Sequence, residues 1–124
     1  MTDVVTLQLP HDRDFLGVAH LVLGGLAARL DLTYDVLDDM TTAIDELLES
    51  REATEELTLS VEILDGSLVA IVGPFTERIV EDLRPRDRGL CLRRVLETFV
   101  DEVEVGERDG AHWVELTKSL GSEA

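Results

Sequence analysis

Glu46 and Ser50 stand four residues apart in the stretch LTYDVLDDMTTAIDELLES, residues 32–50. On a helix that spacing makes them neighbours on one face. A carboxylate there could work as a general base. It shares the face with Asp38, Asp39, Thr42, Asp45 and Glu49. On spacing alone, Glu46 therefore also reads as one more solvated acid, since exposed carboxylates on helices are the rule. A second concentration of chemistry lies further on, where five of the eleven basic residues fall between Arg84 and Arg94 in an otherwise acidic chain. Arginine is suited to phosphate. The plainer reading is pairing with the surplus of acids.

The remaining candidates are weaker. His11, His20 and His112 have no Cys or Asp spacing that makes a metal site. Cys91 has no paired His in sequence and reads as a small packing residue. Trp113 falls at a polar-face position of a strand, where a large aromatic is unusual. It is either a partly covered surface residue or an interface anchor.

Several elements must position these residues. In 32–50, Val36, Leu37, Met40, Ala43, Ile44, Leu47 and Leu48 make one apolar arc at helical spacing. Thr33 is placed to cap it, and Asp35 puts negative charge in the first turn. Before it, Phe15, Ala19, Val22, Leu26 and Leu30 predict a helix, with Gly24 and Gly25 inside it. Each glycine costs about 1 kcal/mol against Ala, so a close approach by another element is expected there. Val5, Leu7 and Leu9 predict a short strand ended by Pro10. Leu57, Leu59, Val61 and Ile63 alternate with Thr58, Ser60 and Glu62, which predicts a strand with one wet face.

Asp65-Gly66 is a hairpin signal. The return strand 68–72 is apolar on both faces and should be central, with Gly73-Pro74 stopping it. A short helix is expected over 76–83 and a further helix over 90–100, with Leu92, Val95, Leu96 and Phe99 inward. Val103 and Val105, then Asp109-Gly110, then His112, Val114 and Leu116 predict a second hairpin. The tail 121–124 should be frayed. The expected core sets Leu7, Leu59, Val61, Ile63, Val69, Ile71, Val114 and Leu116 under Leu26, Leu37, Ile44, Leu47, Leu92, Val95 and Phe99.

Composition bounds the rest. The chain has 124 residues, one domain by the usual size prior, spanning 1–124. Apolar residues make up 44%, enough for a core, and aromatics only 4%, so that core must be aliphatic. The net charge of -16 argues against nucleic acid and against anionic membrane surfaces. It is compatible with a basic partner. The single Cys excludes an intrachain disulfide. With no apolar run of membrane-spanning length and no signal-peptide pattern, the expectation is a soluble cytoplasmic protein. The order strand, helix, helix, hairpin, short helix, helix, hairpin predicts an α+β two-layer sandwich. An antiparallel or mixed sheet would be covered by three helices on one face.

That order resembles the Bergerat-fold ATPases of the GHKL superfamily, and most nearly the anti-sigma factor serine kinases. AIDELLES (43–50) looks like the family's helix motif, and DRGLCLRRVLETFVDEVEV (87–105) is similar to its second glycine box with the following helix and strand. The resemblance implies Glu46 as general base and Ser50 in place of a Mg²⁺-binding Asn. It places Gly73 at the first glycine box, and Gly89, Leu90 and Cys91 at the second. Arg84, Arg86 and Arg88 fall where the ATP lid passes.

Three nucleotide contacts depart from the pattern. Ser50 is shorter than Asn, Ile71 and Val72 leave no carboxylate before Gly73 for adenine, and Cys91 replaces a second Gly. The resemblance thus implies a regulator that binds a sigma factor or an anti-anti-sigma protein, with ATP binding lost and no cofactor. The alternative is an active serine kinase using ATP and Mg²⁺, and a further one is a structural or small-ligand domain. The family also implies a homodimer, for which Trp113 is the candidate anchor. The acidic helix face with Asp38, Asp45 and Glu49 is the candidate surface for a basic partner.

Overall fold

The computed structural model describes residues 4–9, 16–30, 32–50, 57–84 and 92–120. In chain order these form β1 (Val4–Leu9), α1 (Leu16–Leu30), α2 (Tyr34–Ser50), β2 (Leu57–Leu64) and β3 (Ser67–Phe75). α3 (Arg78–Asp82), α4 (Leu92–Phe99), β4 (Glu102–Arg108) and β5 (Ala111–Ser119) follow. The five strands make one sheet in the order β1-β2-β3-β5-β4, antiparallel throughout. The helices pack on one face of it and supply Leu23, Met40, Ile44, Leu47, Ile79, Leu83 and Leu96 to a single core. The architecture is the expected α+β sandwich, with the sheet purely antiparallel and the short α3 joining the three longer helices.

Local chemistry sets the elements. The Thr33 hydroxyl accepts from the Val36 amide at 3.3 Å, which caps α2 as its sequence position predicts. Along α2 the apolar arc is closed from water, with Met40, Ala43, Ile44 and Leu47 at 0% exposure. Both Asp-Gly hairpins turn with positive φ at each central residue, 52° and 77° at 65–66 and 52° and 79° at 109–110. Glycine takes that conformation freely and Asp tolerates it, so the strand registers on either side are pinned.

Three expectations are corrected. Val69 and Ile71 do not face the helices. In register they pair with Glu62 and Ser60, whereas Ala70 and Val72 pair with Val61 and Leu59. Cross-strand partners share a face, so Leu68, Ala70 and Val72 enter the core and Val69 and Ile71 lie on the open side. Gly73-Pro74 does not end β3 either, which runs on to Phe75. Pairing with β2 stops at Thr58↔Gly73, and the register with β5 shifts between Val72 and Phe75. Pro74 thus sits where the regular ladder asks for no N–H. Finally, among the described residues no element approaches Gly24 or Gly25, where an added Cβ would meet nothing within 4 Å. No packing contact between described residues accounts for these glycines.

Thr58, Ser60 and Glu62 are on the open face as expected, sharing it with Trp113, Glu115 and Thr117. Among the described residues no helix is long and apolar enough to cross a membrane. The expectations for Pro10, Phe15 and the tail 121–124 fall outside the described residues, and the side chain of Leu26 is not among those described.

Candidate functional site

The polar face of α2 is more structured than a row of free acids. The Asp39 carboxylate takes a 2.9 Å ion pair from Lys118 at the end of β5. Asp45 lies 2.6 Å from His20 Nε2 on α1, which ties the two helices together. Asp38 is exposed, and its backbone carbonyl accepts from Thr42 at 2.8 Å. Glu46 is half-buried, and among the described residues its carboxylate has no hydrogen bond or ion pair. Glu49 and Ser50 close the helix, and their side chains are not among those described. Sequence reasoning missed the His20–Asp45 and Asp39–Lys118 pairs, which join residues 25 and 79 positions apart and leave no local signal.

At the far end of β3, Gly73 is buried beneath Trp113. A Cβ built on Gly73 would stand 2.5 Å from the indole Cδ2 and 2.7 Å from Cε3. On the other side Trp113 pairs in register with Gly106 of β4. The ring covers backbone that Gly73 leaves bare, whereas Gly106 is exposed and, among the described residues, a Cβ there would meet nothing within 4 Å. Arg108 adds its guanidinium 6.0 Å from the ring centroid, within cation–π range. Trp113 is half-buried as a result. Ile71, two residues before Gly73, faces the open side, and Val72 is fully buried.

The arginines divide into two kinds. Arg84 is exposed and paired with Glu81 one turn back at 3.0 Å. Arg93 is an internal clamp. Its Nη1 donates to the Leu83 carbonyl at 3.1 Å and its Nη2 to the Val103 carbonyl at 2.9 Å, and its Nε lies 3.3 Å from Glu97. One planar fork thus joins the end of α3, the edge strand β4 and α4. These residues border a surface hollow of about 420 Å³ floored by Val80, Leu83 and Val105. Arg86, Arg88, Gly89, Leu90 and Cys91 lie outside the described residues. Among the described residues no group of three or more His, Cys, Asp or Glu could hold a metal ion.

No family model matches the chain. Individual relatives do. The serine-protein kinase RsbW of Bacillus velezensis is 27% identical, covering 98% of this chain and 88% of the relative. RsbW of Bacillus subtilis is 26% identical over the same shares. RsbW of Listeria monocytogenes is 33% identical, over 97% of this chain and 89% of the relative. The chain belongs to the RsbW serine-protein kinase family.

The fold agrees. A solved structure of the RsbU and RsbW domains of a Mycobacterium tuberculosis protein superposes with a TM-score of 0.69 over 95% of this chain, at 16% identity. This chain spans 32% of that one. The alignment to the Bacillus velezensis RsbW runs over 145 positions against 124 residues here. At least 21 of those positions therefore face a gap in this chain.

Proposed function

We propose that this RsbW-family chain is an anti-sigma-type regulator that acts by capturing a protein partner, a sigma factor or an anti-anti-sigma protein, with physiological ATP binding lost. The observation that carries the reading is the end of β3. A first glycine box needs a carboxylate to accept from the adenine amine and a glycine that lets nucleotide come close. Here Ile71 faces the open side of the sheet, Val72 is core, and the space a Cβ would take at Gly73 is filled by Trp113. An adenine amine left without its acceptor loses about 1–3 kcal/mol. Ser50 in place of Asn supports the same reading.

The partner reading draws on charge. The chain carries -16, and Asp38 on α2 is exposed. Asp45 is held by His20, so its contribution to a basic partner is smaller than its sequence position implies.

One observation favours the alternative, an active serine kinase with Glu46 as its base. Glu46 is half-buried and, among the described residues, unpartnered. It could accept the proton of a partner's serine hydroxyl as that oxygen attacks the terminal phosphate.

Thermal unfolding with and without millimolar Mg-ATP tests the choice. No shift is expected. A ligand at a hundred times its dissociation constant would add about 2.7 kcal/mol, which a melting curve resolves easily. A shift abolished by Glu46→Ala, or phosphate transfer to a partner serine, would overturn the binding-only reading.

A further inference from the structure

α1 is apolar on every side, yet part of it lies in water. Of its fifteen residues, LGVAHLVLGGLAARL, only His20 and Arg29 are polar. A helix of that composition belongs where all its faces are covered. Leu23 is covered, at 2% exposure, but Leu21 stands 77% exposed, more than any other large apolar side chain among the described residues. Gly25 and Ala28 follow it at helical spacing and are exposed too. The three make one outward stripe along α1. At Gly25 the axis of another helix can come closer than it could over a larger residue.

The stripe has a strongly acidic neighbour. His20 Nε2 lies 2.6 Å from Asp45 Oδ1, which seats α2 alongside this part of α1. Residues 16–50 carry seven acids against one base, Arg29, a net charge of -6. Asp35 and Asp38 of α2 are exposed. The field beside the stripe is therefore negative.

We propose that the outward stripe of α1 is a docking surface for a helix of the captured partner, one whose own apolar stripe is bordered by lysine or arginine. Its apolar side chains would cover Leu21 and settle over Gly25 and Ala28, and its cations would face the acids of α2. The same charges disfavour the other occupants. A second copy, seated stripe to stripe by a two-fold axis, would bring two such acidic hairpins together, and an anionic lipid surface would be repelled. The proposal rests on the partner-capture reading and deepens it, by giving the partner an apolar anchor that the acids of α2 do not supply. It does not depend on whether nucleotide binds.

The probe is a fluorophore-labelled amphipathic helical peptide with leucine on one face and lysine on its flanks, read by anisotropy. One control replaces lysine by glutamate. Another keeps the composition and scatters the leucines around the helix. The first peptide should bind saturably, with affinity falling as salt screens the charges, and both controls should bind more weakly. Leu21→Ser should weaken binding roughly thirtyfold, the factor for burying one leucine side chain. Gly25→Gln, which sets a polar side chain over the stripe, should weaken it as well. That variant should melt no lower than wild type, since among the described residues an added Cβ at Gly25 meets nothing within 4 Å and glutamine favours helix over glycine. Lost binding without lost stability separates a blocked site from a damaged fold. Leu64→Ser, at a leucine of β2 that is 48% exposed, should bind as wild type.

Wild-type affinity in Leu21→Ser or Gly25→Gln, or equal binding by either control peptide, would overturn the proposal. So would a wild type that does not bind the probe, or a loss in Leu64→Ser as large as in Leu21→Ser. A sigma factor pulled down equally by wild type and Leu21→Ser would keep partner capture and remove α1 from it. A nucleotide-induced melting shift would sink the loss of ATP binding and leave this result untouched.

Discussion

Gly73 and Trp113 are locked as backbone and cover: the indole occupies the place where any other residue at position 73 would carry its Cβ, 2.5 Å from Cδ2. Because the atoms that a Cβ would meet belong to a rigid ring lying against the central strand, Gly73→Ala is expected to destabilise by about 1–3 kcal/mol, the usual range for forced overpacking. Trp113→Ala should be destabilising alone, yet should absorb most of the Gly73→Ala cost in the double variant. Denaturant unfolding of the four-protein cycle reads that coupling directly. Strict additivity would mean that the contact does not matter energetically.

Arg93 carries a comparable load by hydrogen bonding. Arg93→Ala would leave the Leu83 and Val103 carbonyls without their donor in a part-buried site, a loss of about 2–4 kcal/mol if each orphaned group costs 1–2. Arg93→Lys should recover little of it, since an ammonium cannot span both carbonyls as a planar fork does. Melting temperatures of the two variants check this, and a lysine variant equal to wild type would reduce Arg93 to a surface charge.

The pair Gly24 and Gly25 offers the opposite sign. Among the described residues, a methyl group added at either position would have nothing within 4 Å of it. Gly24→Ala and Gly25→Ala should therefore each stabilise α1 by about 0.5–1 kcal/mol, through helix propensity and a less entropic unfolded chain. Urea midpoints measure the gain. Destabilisation would reveal a contact of α1 with a partner or with residues outside the described ones.

Glu46→Gln is expected to leave folding within about 0.5 kcal/mol of wild type, as for most substitutions that break no contact. Its half-buried carboxylate has no described partner to lose. A fall in stability beyond that, read by chemical denaturation, would point to an interaction of Glu46 with residues outside the described ones.

Much of the fold is legible in the chain, and the exceptions have physical reasons. Thr33 as cap, the Met40–Ile44–Leu47 arc and the two Asp-Gly turns are local matters, decided within a few residues. β3 defeats the alternation rule because LVAIV is apolar at every position, so period two cannot choose a face. The neighbours Glu62 and Thr117 decide it, through register. Gly73-Pro74 reads as a stop because its tolerated place, past the last β2 pair and inside a register shift, exists only once three strands are assembled. Of the candidate site, the helix that carries Glu46 is legible, and its surroundings are not. The clamp at Arg93 and the pairs His20–Asp45 and Asp39–Lys118 have no sequence signature at all. They follow from which helix lies over which strand.

Lys118 is the only lysine in the chain, and its ammonium is held by Asp39 with the side chain 20% exposed. Chemical mapping of any complex will be one-sided for that reason. Amine-directed reagents have a single, guarded side chain to find here, whereas the chain has 27 carboxyl side chains. A carbodiimide, which joins carboxylate to amine without a spacer, should therefore record contacts as acids of this chain fused to lysines of its partner.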